Sequence, residues 1–259
     1  MFLMLWTFPK AFADITYNPL YLVIYAPNGN GFGAMTITNP TDAPVRMQTE
    51  ILEFELSDED QVKILNRSAD EKKITDYVKV SPKQFTLEPQ QKKIIRIATK
   101  IPSDFKEGVE YKLLLSMIEI GADRKQVTVQ GTKNGEASYG LIINKAINAG
   151  TYVRIGSEDK FKSILEYDGF KVSTDKENIK LGFTYHNKGN KHARRNIGLR
   201  FIKDGHTVFE MANAAGFIAF SDEKTPRAYN VSIPFPKDKI DPNENYSLNL
   251  IIKDDSLEA

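Results

Sequence analysis

The sequence predicts an all-β protein built from two immunoglobulin-like β-sandwich domains in tandem. Short segments in which apolar and polar residues alternate recur along the chain, and residues typical of turns separate them. No stretch has the period of a convincing amphipathic helix. This spacing of short strands is typical of sandwiches, and we place the domains at residues 14–154 and 155–259.

Composition excludes several classes of function. The 259 residues include 35 basic and 34 acidic ones, so the net charge of +1 does not call for a nucleic-acid partner. The absence of cysteine excludes disulfides, thiolate zinc sites and cysteine nucleophiles. Hydrophobic residues make up 41% and charged residues 27%, values typical of a folded globular protein.

The first 13 residues have the character of a signal-peptide remnant. They are apolar and end in Ala11-Phe12-Ala13, the small-x-small pattern of a signal-peptidase site. No basic residue precedes the apolar run, which leaves a start codon further upstream open. The alternative is an apolar N-terminus that stays disordered or buried. No other run reaches the roughly 18 apolar residues of a membrane helix, so we expect export to the periplasm and no membrane insertion after cleavage.

Six strands are predicted before the middle of the chain. Pro19 lies inside the first and favours an edge position or a switch between sheets. Gly29, Gly31 and Gly33 are followed by a strand pattern, not by the helix that a phosphate-binding loop needs. The predicted strands are Ile15–Ala26, Ala34–Thr38, Val45–Leu56, Tyr77–Leu87, Lys92–Thr99 and Glu110–Ile120.

The pattern restarts after Arg154. Lys203-Asp204-Gly205-His206, between Leu199–Ile202 and Thr207–Phe209, is a strong hairpin signal. The predicted strands of this half are Phe161–Val172, Ile179–Asn187, Ile197–Lys203, Thr207–Met211, Arg227–Phe235 and Tyr246–Lys253.

A longer strand, Tyr139–Arg154, lies at the junction of the two halves. It alternates with period 2 and has one apolar face. Strands usually run about 3 to 10 residues, so this one is long. Its apolar face either packs inside its own sandwich or is offered to another protein, and alternation alone does not choose between the two.

The first half resembles the N-terminal domain of the PapD-like periplasmic chaperones of the chaperone/usher pilus pathway. The resemblance lies in the order of four motifs, followed by the long strand. The motifs are Ile37–Thr41, Val80–Pro89, Lys93–Ile97 and Glu110–Leu115. The match covers residues 14–154 and is weak over 155–259.

The resemblance implies a non-enzymatic mechanism without a cofactor. A pilus subunit of this pathway is a sandwich that lacks its last strand, and the chaperone lends its long strand to the open groove before delivery to an outer-membrane usher. By this resemblance the donor face is Leu141, Ile143, Lys145 and Ile147, which Tyr139 extends. The same set follows from the alternation.

The resemblance also implies an acidic–basic pair, Glu107 and Arg154, that fixes the two domains in an L shape. The alternative is two solvated charges. The basic pair that anchors the subunit's terminal carboxylate in the family falls on Leu22 and Gly150, which cannot donate a charge-assisted hydrogen bond. Lys145 would substitute only after a slip of register.

Catalytic and metal chemistry have little support. His186 and His192 flank a turn that would be a hairpin, but two histidines without a third ligand make a poor zinc site. His206 is expected to be an exposed turn residue. The basic run Lys191–Arg195 is expected to be a solvated edge that discourages strand addition.

Three functions therefore remain open. The first is a periplasmic chaperone that stabilises immature fimbrial or pilus subunits by donating a strand. The second is a secreted tandem immunoglobulin-like structural or adhesion protein that keeps the long strand to itself. The third, an enzyme, has the least support.

Overall fold

The computed structural model describes residues 15–57, 61–68, 71–120, 145–175, 177–221 and 225–254. The predicted signal-peptide remnant lies outside these residues. The chain forms two compact units. The first runs to Glu107 and includes Tyr111–Ser157, and the second comprises Gly108–Glu110 and the residues from Glu158 on. None of the helical segments in the described ranges has the length and apolar character needed to cross a membrane.

The first unit is a β-sandwich. Its strands within the described residues are β1 (Thr16–Asn18), β2 (Tyr21–Tyr25), β3 (Asn30–Thr38), β4 (Val45–Leu56), β5 (Val62–Ile64), β6 (Val78–Ser81), β7 (Gln84–Leu87), β8 (Lys92–Lys100), β9 (Glu110–Glu119) and β10 (Ala146–Arg154). Sheet A has the order β1-β3-β8-β6, and sheet B has the order β2-β10-β9-β4-β5, with β7 also paired to β4.

The core of this unit lies between sheets A and B. Alternate residues of facing strands fill it, because successive side chains of a strand point to opposite faces. Met35 and Ile97 of sheet A and Ile24 and Leu115 of sheet B are among its fully buried members. The alternation that was readable in the sequence is therefore the alternation between core and outer face.

The second unit is a smaller sandwich. Its strands are β11 (Leu165–Thr174), β12 (Asn178–Asn187), β13 (Ala193–Lys203), β14 (His206–Ala219), β15 (Arg227–Pro234) and β16 (Ser247–Asp254). Sheet C has the order β11-β12-β15 and sheet D has the order β14-β13-β16. Leu181 and Phe183 of sheet C and Leu199 and Phe201 of sheet D are buried in one core. The all-β class with two sandwiches is confirmed.

Two predictions, a hairpin turn and a switch between sheets, are confirmed by the backbone. Lys203 pairs with His206 across the β13–β14 hairpin, and Asp204 and Gly205 have φ angles of 51° and 78°, as tight hairpin turns require. Pro19 lies between β1 in sheet A and β2 in sheet B, so the first predicted strand does switch sheets.

Other expectations are corrected. The predicted strand Tyr77–Leu87 is broken at Pro82 into β6 of sheet A and β7, which pairs with β4 of sheet B. A proline has no N–H for the ladder, so the chain changes sheets there.

The basic run Lys191–Arg195 is not at a sheet edge, because β13 is the central strand of sheet D. The turn between His186 and His192 is not a hairpin either. It connects β12 of sheet C to β13 of sheet D, so the strands on its two sides belong to different sheets.

Candidate functional site

Strand β10 is the described part of the long strand at the junction, and it lies between β9 and β2 in sheet B. The main-chain N–H of Glu119, at the end of β9, donates to the carbonyl oxygen of Lys145 at 2.9 Å. On its other side β10 runs parallel to β2, with Gly150 opposite Tyr21 and Arg154 opposite Tyr25.

The two halves of β10 differ in their pairing. Gly150–Arg154 have strands on both sides, whereas among the described residues no strand pairs with residues 146–149 on the side that β2 occupies further along. An unpaired row of main-chain N–H and C=O groups is a template for the addition of another strand. Among the described residues the first half of β10 therefore has an open edge on that side, and it contains Ile147, the last of the predicted donor residues.

Two of the five predicted donor residues, Lys145 and Ile147, are among the described residues. Tyr139, Leu141 and Ile143 lie outside the described residues. Lys145 is exposed, and Ile147 is half-buried and packs against the unit's own core. The structure therefore assigns Ile147 to the fold of this sandwich, while the segment before it stays a prediction.

Leu22 and Gly150 occupy the positions where the resemblance implies a basic pair, and the surroundings of both leave little room for a basic side chain. Leu22 is a core residue with 7% of its surface exposed. A Cβ on Gly150 would lie 3.1 Å from the hydroxyl oxygen of Tyr152, which occupies the space above this glycine. The ring of Tyr152 also meets that of Tyr21 edge to face, with 6.3 Å between the ring centroids. Tyr152 thus occupies the place where a lysine side chain at position 150 would begin.

Arg154 lies at the end of β10 and is almost completely buried, with 2% of its surface exposed. Its Nη1 donates a hydrogen bond of 2.8 Å to the hydroxyl oxygen of Tyr25, and its guanidinium lies 5.3 Å from the centroid of the same ring. A buried guanidinium needs such partners, because desolvation of a charge is costly. Glu107, its predicted partner, is exposed, and their pairing stays a prediction.

Lys112 on β9 is a second buried cation of this sheet, and the sequence analysis missed its burial. Leu113, Leu115 and Met117 point into the core, so Lys112 points to the opposite face of sheet B. Tyr152 and Arg154 of β10 point to that face too, since Ala149 and Val153 belong to the core. The only sequence clue was a lysine between apolar residues.

Tyr111 precedes Lys112 and is half-buried. Burial is the main cause that raises the pKa of its hydroxyl, and the negative charge of Glu53 raises it further, while Arg67 acts in the opposite direction. The hydroxyl is therefore held in its neutral form at ordinary pH.

A buried polar pair, His192 with Glu110, lies within the second unit. Nδ1 of His192 is 2.9 Å from Oε2 of Glu110, and the main-chain N–H of His192 donates to Oε1 at 2.8 Å. The sequence suggested His192 only as a possible metal ligand and gave no sign of its pairing with Glu110. In the described parts of the chain no group of three or more His, Cys, Asp or Glu side chains forms a metal site.

No protein-family model and no curated protein matches this sequence. Among solved structures, the chain is similar to the CsuC–CsuE chaperone–tip adhesion subunit pre-assembly complex from the archaic chaperone–usher Csu pili of Acinetobacter baumannii. That match has a TM-score of 0.45 and 14% identity, and it covers 88% of this chain and 92% of that chain.

Two further matches cover most of both chains. The class 5 fimbriae chaperone CfaA has a TM-score of 0.43 and 13% identity, with 95% of each chain covered. The CupB2 chaperone of Pseudomonas aeruginosa has a TM-score of 0.42 and 13% identity, covering 92% of this chain and 99% of that one. Each of these structures contains a chaperone.

Proposed function

We propose that this protein is an exported chaperone that binds immature fimbrial or pilus subunits in the periplasm by donor-strand complementation. The observation that carries the proposal is the edge of β10 at residues 146–149, which no other described strand pairs on the side of β2 and which follows the predicted donor residues Leu141, Ile143 and Lys145. An extended segment that continues this edge has main-chain groups to share with a partner strand, and its alternate side chains point into that partner.

The donor face consists of Leu141, Ile143 and Lys145, which Tyr139 extends. Ile147 is the last residue of the predicted donor face, and it packs on the core of the protein's own sandwich. This contact fixes the register of the strand before it. A subunit that lacks its last strand would gain both the missing main-chain hydrogen bonds and the apolar side chains. An outer-membrane usher would then receive the complex. The protein acts by binding, without catalysis.

Substitution at Ile143 tests the proposal, with Asn144 as the matched control. Ile143→Asp places a carboxylate on the proposed donor face, whereas Asn144→Asp places the same group one residue along, on the opposite face. Each variant is purified from the periplasm of the native host, and co-purifying proteins are identified by mass spectrometry. We expect a stoichiometric small β-sandwich subunit with the parent protein and with Asn144→Asp, and its loss with Ile143→Asp.

Urea unfolding of the isolated variants separates this function from a structural role of the strand. If Ile143→Asp unfolds the isolated protein, the apolar face belongs to its own core and the second function, a structural or adhesion protein, is favoured. Retention of the subunit by a folded Ile143→Asp variant would also reject the donor-strand mechanism.

A further inference from the structure

Sheet A has an outer face whose charge is unlike that of the whole chain. Its strands β1, β3, β8 and β6 contain no aspartate or glutamate, although the protein has 34 of them. Ile95, Ile97 and Val80 point into the core, so the residues between them point outward. We call this surface the basic face, and its cations are Lys79, Lys92, Arg96 and Lys100.

Three of these cations surround one small residue. Lys79 is opposite Ala98 in the pairing of β6 with β8, and Arg96 and Lys100 are two residues away from Ala98 along β8. Directly opposite residues have Cβ atoms about 5 Å apart, and two residues along a strand span about 7 Å. The three cations therefore stand around the methyl group of Ala98 and form one cluster of positive charge on the outer face of sheet A.

The fourth side of this cluster is an exposed aromatic residue. Phe32 lies opposite Ala98 in the pairing of β3 with β8, and 63% of its surface is exposed. Ile94, further along the same face, is 46% exposed. Among the described residues, none of the four cations forms an ion pair. Charge and apolar surface are thus both available to a partner.

We propose that the basic face binds the surface of a bilayer that contains anionic phospholipids. Lipid phosphates supply negative charges that can pair with the four cations, and the interfacial region of the bilayer accepts the ring of Phe32. This inference does not depend on the donor-strand function, because β10 belongs to sheet B.

The composition of the basic face favours lipid over two other anionic partners. A single-stranded nucleic acid needs several aromatic platforms, and Phe32 is the one aromatic side chain on the outward positions of these described strands. A protein partner would need carboxylates matched to fixed cation positions, and protein interfaces are depleted of lysine, which supplies three of the four cations. Mobile lipid headgroups adapt to the spacing that the sheet imposes.

Vesicle sedimentation tests the proposal. The purified protein is mixed with phosphatidylcholine vesicles that contain phosphatidylglycerol, and with vesicles of phosphatidylcholine alone. We expect binding only to the anionic vesicles, and a loss of binding as the ionic strength rises to about 0.15 M and above. The double variant Arg96→Glu/Lys100→Glu should bind roughly tenfold or more weakly, and Phe32→Ala should weaken binding to the same vesicles.

Lys171→Glu is the matched control, since it changes an exposed lysine on β11 of the second unit, and it should leave binding unchanged. Equal binding of the parent protein and the double variant would overturn the proposal, and so would equal binding to both kinds of vesicle. The same variants are also tested for binding to a single-stranded oligonucleotide and to an acidic polypeptide. Binding to either that depends on Arg96 and Lys100, with no binding to vesicles, would assign the basic face to that partner and overturn the proposal.

Discussion

His192 and Glu110 form a buried pair although 82 residues separate them in the sequence. Their side chains are 0% and 1% exposed, and the carboxylate accepts from both the main-chain N–H and the ring of the histidine. In addition, Nδ2 of Asn190 donates to the carbonyl oxygen of Gly108 at 3.1 Å. These bonds attach the short segment Gly108–Glu110 to the second unit.

Glu110→Ala should lower the free energy of unfolding by about 3 kcal/mol, because it leaves buried donors of His192 without their acceptor. Urea unfolding measures this change. Glu166→Ala is the control. It removes a carboxylate 2.7 Å from Nζ of Lys188, but both side chains of that pair are about half exposed, so we expect a loss below about 1 kcal/mol. Equal losses in the two variants would contradict the importance of the buried pair.

Gly29→Ala should destabilise the first unit severely, by more than about 2 kcal/mol. Gly29 has a φ angle of 77°, and a Cβ there would lie 1.9 Å from the carbonyl oxygen of Ile101, which is a main-chain atom. Gly169 has a similar φ angle of 67° with no atom within 4 Å of the Cβ position, so Gly169→Ala isolates the cost of the backbone conformation, about 1 kcal/mol. Thermal unfolding of both variants should show a much larger shift for Gly29→Ala.

Tyr25→Phe should cost about 1–2 kcal/mol, because it removes the acceptor of the buried guanidinium of Arg154 but keeps the aromatic ring beneath it. Tyr17→Phe removes a hydroxyl from a half-buried tyrosine of β1 and should change stability by less than about 0.5 kcal/mol. Urea unfolding compares the two variants. Indistinguishable midpoints would show that the hydrogen bond to Arg154 is dispensable.

Alkaline pH should reveal the raised pKa of Tyr111. Because the folded pKa lies above the ordinary value of about 10, the folded state favours the neutral hydroxyl. The resulting stability is fully present below about pH 10 and is lost as the pH rises through the folded pKa. Urea unfolding of the parent protein and of Tyr111→Phe between about pH 9 and 11 should give a shallower decline for the variant. Parallel declines would contradict the shift.

Much of the fold was readable from the sequence because each strand exposes one face and buries the other. Val45–Leu56 was predicted with the bounds that the structure has, and Asp204-Gly205 identified its hairpin because few dipeptides adopt two positive φ angles. Alternation does not say which sheet a strand joins. The continuous pattern Tyr77–Leu87 therefore concealed the change of sheet at Pro82.

The candidate site was less predictable, because its features depend on contacts between distant residues. Alternation predicted a donor face on the long strand, but it could not show that Ile147 packs on the core of its own sandwich. The sequence showed that position 150 holds a glycine where the resemblance implies a basic residue. That the ring of Tyr152 lies against Gly150 required the structure. The partnership of His192 with Glu110 left no local pattern to find.

The parallel pairing of β2 with β10 has a consequence for the order of events during synthesis. Tyr25 emerges from the ribosome 129 residues before Arg154, the residue beside which it must lie. Sheet B consequently cannot close until the chain has been made as far as Arg154, and such non-local pairing slows folding. The sandwich of the first unit is thus completed by the last of its described strands to be made, and until then β2 lacks its partner in sheet B.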